Sequence, residues 1–301
     1  MHWKFTSIPP GKYPLLLIIP YLMGRSKHME RSSIRQSSFA VLAALIWGTT
    51  FVAQSVGAEY VPALAFNAAR SIIAFVFLLI LCLILRQVRR SRGKPAASTR
   101  SRKDLLTGGF CCGTALALAS FFQQKGLETT SSGKAGFITA LYIVLVPIFG
   151  VFLKKRVPKA VWFSVVLCAF VFTCQILLVD HFVTVVDGIE LSCCQFFFVT
   201  LFSLAGSLAF EQPTLESFGI AAGAILYAGF FSSGVAYTLQ ILAQKGSNPT
   251  VISLLLSLES VFATISSAII LGDRLNGKEY FGCALMLAAV VLAQLPEKKN
   301  A

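Results

Sequence analysis

Gln124-Lys125-Gly126 occurs a second time as Gln244-Lys245-Gly246. Four residues after its glycine, each copy is followed by a threonine, Thr130 or Thr250. An apolar run precedes each copy and another follows it. Then comes a short charged hinge (Lys154-Lys155-Arg156 and Gly272-Asp273-Arg274) and an aromatic residue, Trp162 or Tyr280, that opens the next apolar run. A chain that repeats an apolar, loop, apolar, hinge pattern is the product of duplication. In a membrane protein, duplication points to a transporter with its site between the halves.

The apolar runs decide the fold class. Hydrophobic residues make up 56% of the 301 residues and charged ones 13%. The apolar residues fall in blocks of about 20, long enough as helices to cross ~30 Å of hydrocarbon. Barrel strands alternate in polarity and run to only about 10 residues, so the reading is an all-α integral membrane protein, a two-fold repeated helical bundle. Nine spans are expected: 38–56, 63–85, 105–123, 135–153, 161–179, 191–209, 220–243, 251–271 and 280–295. Residues 1–37 stand apart as a disordered or misassigned extension. The stretch 13–23 is too short to span, no small-residue cleavage site follows it, and Met29 offers a second start. Residues 296–301 form a basic tail.

The net charge of +13 does not mark a nucleic-acid partner. The basic residues sit where positive-inside topology requires them. Eight lie between Arg86 and Lys103 and four in the hinge 154–159, whereas the loop 57–62 has none. The N-terminus, the 86–103 loop and the 154–159 hinge are therefore expected in the cytoplasm. All eight cysteines lie within apolar runs without metal-ligand spacing, and read as reduced core residues. The histidines, His2, His28 and His181, avoid the span centres, and no nucleophile–base set or P-loop is present, so an enzyme is not expected.

Few polar groups enter the spans. Glu259 lies about midway along 251–271, where a carboxylate is costly and usually functional. It reads as a substrate or proton site, or as a structural carboxyl bonded to a neighbouring helix. Ser260 and Thr264 lie nearest its helix face. Arg70 is the one Arg or Lys inside a span, at a depth of ~10 Å, with Asn67 three residues earlier on the same face. It is either an anion or substrate contact or a pin bonded to carbonyls across a helix interface. Trp47, Tyr142, Tyr227 and Tyr237 either line a cavity or pack. Gln54, Gln123, Gln124, Gln175, Gln195 and Gln240, at or near span ends, read mainly as glue between helices. Pro147 removes a helix hydrogen bond and should kink its span. Gly108, Gly109, Gly113 and the small residues of 219–229 allow close helix approach.

With these residues in place, the chain resembles the EamA-type transporters of the drug/metabolite transporter superfamily over roughly 38–295. The resemblance runs through Ala44–Phe51, Phe66–Arg70, Phe121–Leu127, Lys134–Thr139, Leu145–Pro147, Leu258–Ala263 and Leu271–Leu275. It implies ten helices in two inverted five-helix halves around a central cavity. It also implies alternating-access movement of small organic metabolites or drugs across a cell membrane, such as the bacterial cytoplasmic membrane. A small solute and the lipid bilayer are the expected partners, with a proton and a homodimer as open options and no cofactor. The candidate translocation residues are Glu259, Arg70, Asn67, Trp47, Gln124, Tyr142 and Tyr237, with Pro147 as a structural kink and no catalytic residue or metal ligand.

Two departures from the family stand out. The family has Glu-Pro where this chain has Glu259-Ser260, so a helix break there is not assured. The chain is also one helix short. Val161–Leu167 reads as the start of the fifth family helix and Cys168–Phe182 as the end of the sixth, which gives a first repeat of 38–167 and a second of 168–295. Gln124 and Gln244 are 120 residues apart, whereas five helices with linkers need nearer ~150. Equivalent spans then lie four apart, and in a nine-span chain they point the same way, with residue 187 outside. If instead 161–179 does not span, the even count returns. The alternative to transport is a truncated membrane protein that no longer transports.

Overall fold

The computed structural model describes residues 18–93, 101–139, 159–247 and 249–273, with Gly277, Tyr280, Phe281 and Ala284. The side chains of 18–33, 137–138, 159–169 and 249–250 are outside that description. The described residues are helical throughout, with short turns between. The long elements are α1 (Ile18–Ala58), α2 (Ala63–Ser91), α3 (Arg102–Leu127), α5 (Lys159–Phe182) and α6 (Gly188–Phe210), with the short α4 (Ser132–Thr139) ahead of α5. α7 (Leu215–Ile220) is a single turn and a half. α8 (Ala222–Gln244) is α-helical at its ends and π-helical over Ala228–Ala236. α9 (Pro249–Leu256) and α10 (Leu258–Ser266) form one path, with a π-helical end at Ser267–Leu271.

Six of these paths are long and apolar enough to cross a membrane: Ile34–Ala58, Ala63–Ser91, Arg102–Leu127, Gly188–Phe210, Ala222–Gln244 and Val251–Leu271. The apolar stretch Phe170–Phe182 of α5 adds a shorter one. α1 begins at Ile18, so residues 18–37, expected as a disordered extension, continue the first helix backward.

The helix termini show why the elements start where they do. Asp187 caps α6 by accepting from the N–H groups of Ile189 and Glu190. Ser101 caps α3 through Lys103 N–H. Pro62, before α2, has no side chain that can cap. Glu211 supplies the missing acceptor from another helix: its carboxylate receives the N–H groups of Leu64 and Ala65 at 2.9 and 2.7 Å. This satisfies two of the orphan donors of the first turn and places a negative charge at the positive end of the helix dipole.

α2 and α6 form the longest seam of the bundle. Leu64 meets Glu211 at one end, Phe75 meets Phe197 midway, and Arg86 meets Glu190 at the other end at 2.9 Å. Arg89 adds a second ion pair with Asp187 at 3.4 Å. The two helices are thus antiparallel. Residues 187–190 lie at the same end as the basic run after Arg86, called here the basic end; residues 58–64 and 211 mark the far end.

The remaining directions follow from close approaches that only glycine allows. A Cβ on Gly109 would meet Cys194, and one on Gly113 would sit 2.7 Å from the Gln195 carbonyl, so α3 runs parallel to α6. A Cβ on Gly188 would sit 2.8 Å from Ile241, and Ser192 bonds Thr238, so α8 is antiparallel to α6. α3 and α8, the helices that carry the two Gln-Lys-Gly copies, therefore point in opposite directions.

The same holds for every equivalent pair. α1 is antiparallel to α8 through Gln36–Lys245, Trp47–Tyr237 and Thr49–Tyr227. α5 is antiparallel to α3, with Gly108 against Phe182 and Phe172 packed with Leu116 and Ala119. α4 descends beside α3, with Ala135 packed with Leu127 and Thr139 bonded to Gln123. α10 rises beside α4, with Gly133 near Thr264 and Gly136 near Ala263.

The halves α1–α4 and α5–α10 are consequently inverted copies. This corrects the expectation that equivalent spans point the same way and that residue 187 lies across the membrane from the 86–92 segment. The physical reason is that α4 and α5 run in the same direction, so counting spans by parity fails between them. The small-residue reading of 219–229 is also narrowed. Gly229 packs against Ile73 and the Arg70 carbonyl, while Gly219 and Gly223 meet nothing within 4 Å.

Two outcomes follow from this arrangement. Topology reporters inserted after residues 92 and 187 should fall on one side of the membrane; reporters on opposite sides would restore the parallel reading. Glu211→Ala should lower unfolding free energy in detergent by about 1–3 kcal/mol, the cost of two buried N–H groups losing a charged acceptor. A change within about 0.5 kcal/mol would show that the contact is incidental.

Candidate functional site

A cavity opens between the halves. α1 contributes Trp47, Phe51 and Gln54; α2 contributes Arg70; α3 Gln123; α4 Thr139. From the second half come Phe172, Gln175 and Ile176 of α5, Ser232, Tyr237 and Gln240 of α8, and Glu259 of α10. Seven helices and both halves thus converge on one space, as expected of a site built at a repeat interface.

Local structure explains how these side chains reach it. The π-helical segment of α8 is built of small residues, and Gly229 and Gly234 lie flush against Ile73 and Phe77 of α2. This lets α8 approach closely while Ser232 and Tyr237 face the cavity. Between α9 and α10 the chain tightens at Ser257: its N–H keeps the helical bond to the Ser253 carbonyl at 3.1 Å, while its own carbonyl accepts from Ser260 N–H at 3.0 Å, one residue short of the α-helical spacing. The break thus exists without the family's proline, two residues ahead of Glu259. The hydroxyls of Ser257, Ser260 and Thr264 donate to the carbonyls of Leu254, Ser257 and Ser260. They satisfy backbone groups that a break inside lipid exposes. Gly48 lets α1 lie against α10 at Phe262, and that contact sits one residue from Trp47.

Trp47 and Tyr237 form one wall, with ring centroids 4.7 Å apart and Phe196 edge-on to Tyr237 at 5.4 Å. The indole Nε1 of Trp47 is buried and has no partner among the described residues. Arg70 is 4% exposed and Glu259 5%. Among the described residues the ion pairs are Arg86–Glu190, Arg89–Asp187 and Lys125–Glu128, none of which involves Arg70 or Glu259. The Arg70 guanidinium lies 5.9 Å from the Phe66 ring centroid. A guanidinium and a carboxylate therefore line the same nearly closed space without neutralising each other as an ion pair.

Of the residues singled out from sequence, Glu259, Arg70, Trp47 and Tyr237 are brought together here. Asn67 is fully buried beside the cavity rather than in it, and both its amide atoms lack partners among the described residues. Gln124 lies behind the wall, bonded to Gln54. Tyr142 and Pro147 lie outside the described residues. Tyr227 is held by Thr49 at 2.6 Å, away from the lining.

Sequence reasoning passed over Gln54, Gln123, Gln175 and Gln240 as glue. They are glue, and they are lining as well. The signal was available: amides recurring near the ends of four spans face inward only if those helices share one interior.

The family model of EamA-like transporters matches the chain twice, over residues 36–172 and 162–295. The two matches share 162–172, within α5. The chain is 30% identical over 278 residues to an uncharacterized transporter of Archaeoglobus fulgidus, covering 84% of each protein. An 88-residue stretch is 31% identical to an auxin-induced protein of Pinus taeda, covering 28% of this chain and 22% of that one. A solved crystal structure shares the fold, with a TM-score of 0.63 at 16% identity, covering 86% of this chain and 97% of the other. Two matches spanning nearly the whole helical region, together with a relative alike over most of its length, establish that this chain belongs to the EamA-like transporter family.

Proposed function

We propose that the protein is a secondary transporter that moves small organic solutes across the bacterial cytoplasmic membrane by alternating access, with its basic end in the cytoplasm. The observation that carries this reading is a polar cavity between two inverted halves, lined by the Arg70 guanidinium and the Glu259 carboxyl, neither of them in an ion pair among the described residues. Buried charges in a bilayer are expensive and are retained where they meet a substrate or ion. Arg70 offers donors to an acceptor group of the solute, Glu259 an acceptor for a donor group or a proton, and Trp47 with Tyr237, their rings tilted to one another, an aromatic wall for its carbon skeleton.

A competing reading has its own support. The two family matches overlap within α5, and α4 and α5 run in one direction, both of which fit a chain one helix shorter than its family. On that reading the protein inserts and folds but moves nothing.

Purified full-length protein in proteoliposomes, tested against a panel of radiolabelled metabolites, separates the two. The expected outcome is counterflow of at least one solute, lowered about tenfold or more by Arg70→Ala and by Glu259→Gln, since a lost charged hydrogen bond is worth ~1.5–3 kcal/mol. Transport untouched by both substitutions would remove these residues from the site. Proton coupling predicts accumulation that a protonophore abolishes; exchange predicts counterflow that it leaves intact.

A further inference from the structure

The doubled Gln-Lys-Gly has a structural counterpart in each half. Gln124 Nε2 donates to the backbone carbonyl of Gln54 on α1 at 3.0 Å. Gln244 Nε2 donates to the backbone carbonyl of Ile176 on α5, also at 3.0 Å. Both glutamines are fully buried. Since α1 is equivalent to α5 and α3 to α8, the same bond is made twice, once in each inverted copy.

Each bond anchors an amide cluster at one end of the cavity. At the far end, Gln54 Nε2 donates to Gln124 Oε1 at 3.0 Å and to Gln123 Oε1 at 3.1 Å. At the basic end, Gln240 donates to Gln175 at 3.3 Å and Gln175 to Gln195 at 3.2 Å. Gln54 and Gln123 line the cavity on one side, Gln175 and Gln240 on the other.

The clusters differ in make-up, since Ala243 stands where Gln123 has its repeat equivalent and Gln240 with Gln195 of α6 take part instead, and they differ in closure. At the far end, Gln124 both donates and accepts. At the basic end, Gln240 Oε1, Gln244 Oε1 and Gln195 Nε2 are buried without partners among the described residues. A buried amide atom without a partner carries a desolvation cost that a rearrangement can recover. The basic-end cluster thus shares its anchoring bond with the far-end one and is incompletely closed.

We propose that the two glutamine clusters are the paired closures of the cavity, one at each end, and that they exchange states. The far-end cluster is saturated when the basic-end cluster is loose, and inversion symmetry makes the reverse arrangement available to the same chain. This rests on the transport reading above.

The test uses the full-length chain carrying Ser232→Cys, a lining position, in right-side-out and inside-out membrane vesicles. A membrane-impermeant maleimide is the probe, and labelling of the native cysteines in the parent chain is subtracted. Gln124→Leu should raise labelling from the far-end face, and Gln244→Leu from the basic-end face. Each change should be about fivefold, the ratio set by one net hydrogen bond. If either variant fails to insert or fold, Gln54→Met and Gln175→Met each remove one amide of the far-end or basic-end cluster from the facing helix and carry the same opposite expectations. Both substitutions acting on one face, or neither altering the ratio, overturns the proposal while leaving transport intact. No labelling of Ser232→Cys from either face in any chain would show that the cavity is closed to water, and removes the transport reading together with it.

Discussion

The antiparallel seam between α2 and α6 is the constraint on which the rest of the structure depends. It joins the two halves along their length and is fastened at both ends by charge. Glu211 completes the first turn of α2 at one end. Arg86 and Arg89 hold Glu190 and Asp187 at the other. The ion pairs are partly exposed and individually worth little. Their weight lies in specificity: a parallel pairing would set the basic end of α2 against the far end of α6 and leave Glu211 without its N–H donors. Once that seam is antiparallel, the glycine contacts of α3 and α8 leave no choice for the other helices.

Inversion has a chemical consequence. Within hydrocarbon the protein cannot leave polar groups to solvent, so each must meet another. Two inverted copies bring their polar faces together around one cavity, with Gln54 and Gln123 of one half toward its far end and Gln175 and Gln240 of the other toward its basic end. The apolar remainder faces outward, as the exposed Leu79, Ile80, Leu83 and Ile84 along α2 illustrate. The cavity is what remains between the polar faces, and Arg70 and Glu259 are tolerated because it is there. The π-helical stretch of α8 and the turn at Ser257 serve the same end, since irregular backbone at membrane depth is accommodated where it is buried in protein or borders a cavity.

Much of this was legible in residues alone. The apolar blocks place α2, α3 and α6 within a few residues of their expected spans, because twenty apolar residues in lipid can do little but form a helix. The rarity of polar groups in those blocks singled out Glu259 and Arg70, and both line the cavity. Trp47 and Tyr237 came from the same logic. What was not legible is relational. The 120 residues between the Gln-Lys-Gly copies are fewer than five helices with linkers need but do not say where the chain absorbs the difference, and span parity gave the wrong relative orientation. The turn at Ser257 replaces a proline by hydroxyls bonded to carbonyls, a device with no fixed residue signature. The glutamines were discounted singly because an isolated amide in a span is usually glue. Their second role depends on four helices meeting, which no single span reveals.

The central claim is that the two halves are inverted about one cavity, and oxidative cross-linking tests it most directly. Gln36 at the start of the first span touches Lys245 at the end of α8, at the basic end. In a chain carrying Gln36→Cys and Lys245→Cys, the account predicts an intramolecular disulfide formed readily in the membrane under mild oxidation. Failure of that pair to link, with efficient linking instead between cysteines placed at Thr129 and Lys245, would put the second Gln-Lys-Gly at the far end and contradict the inversion.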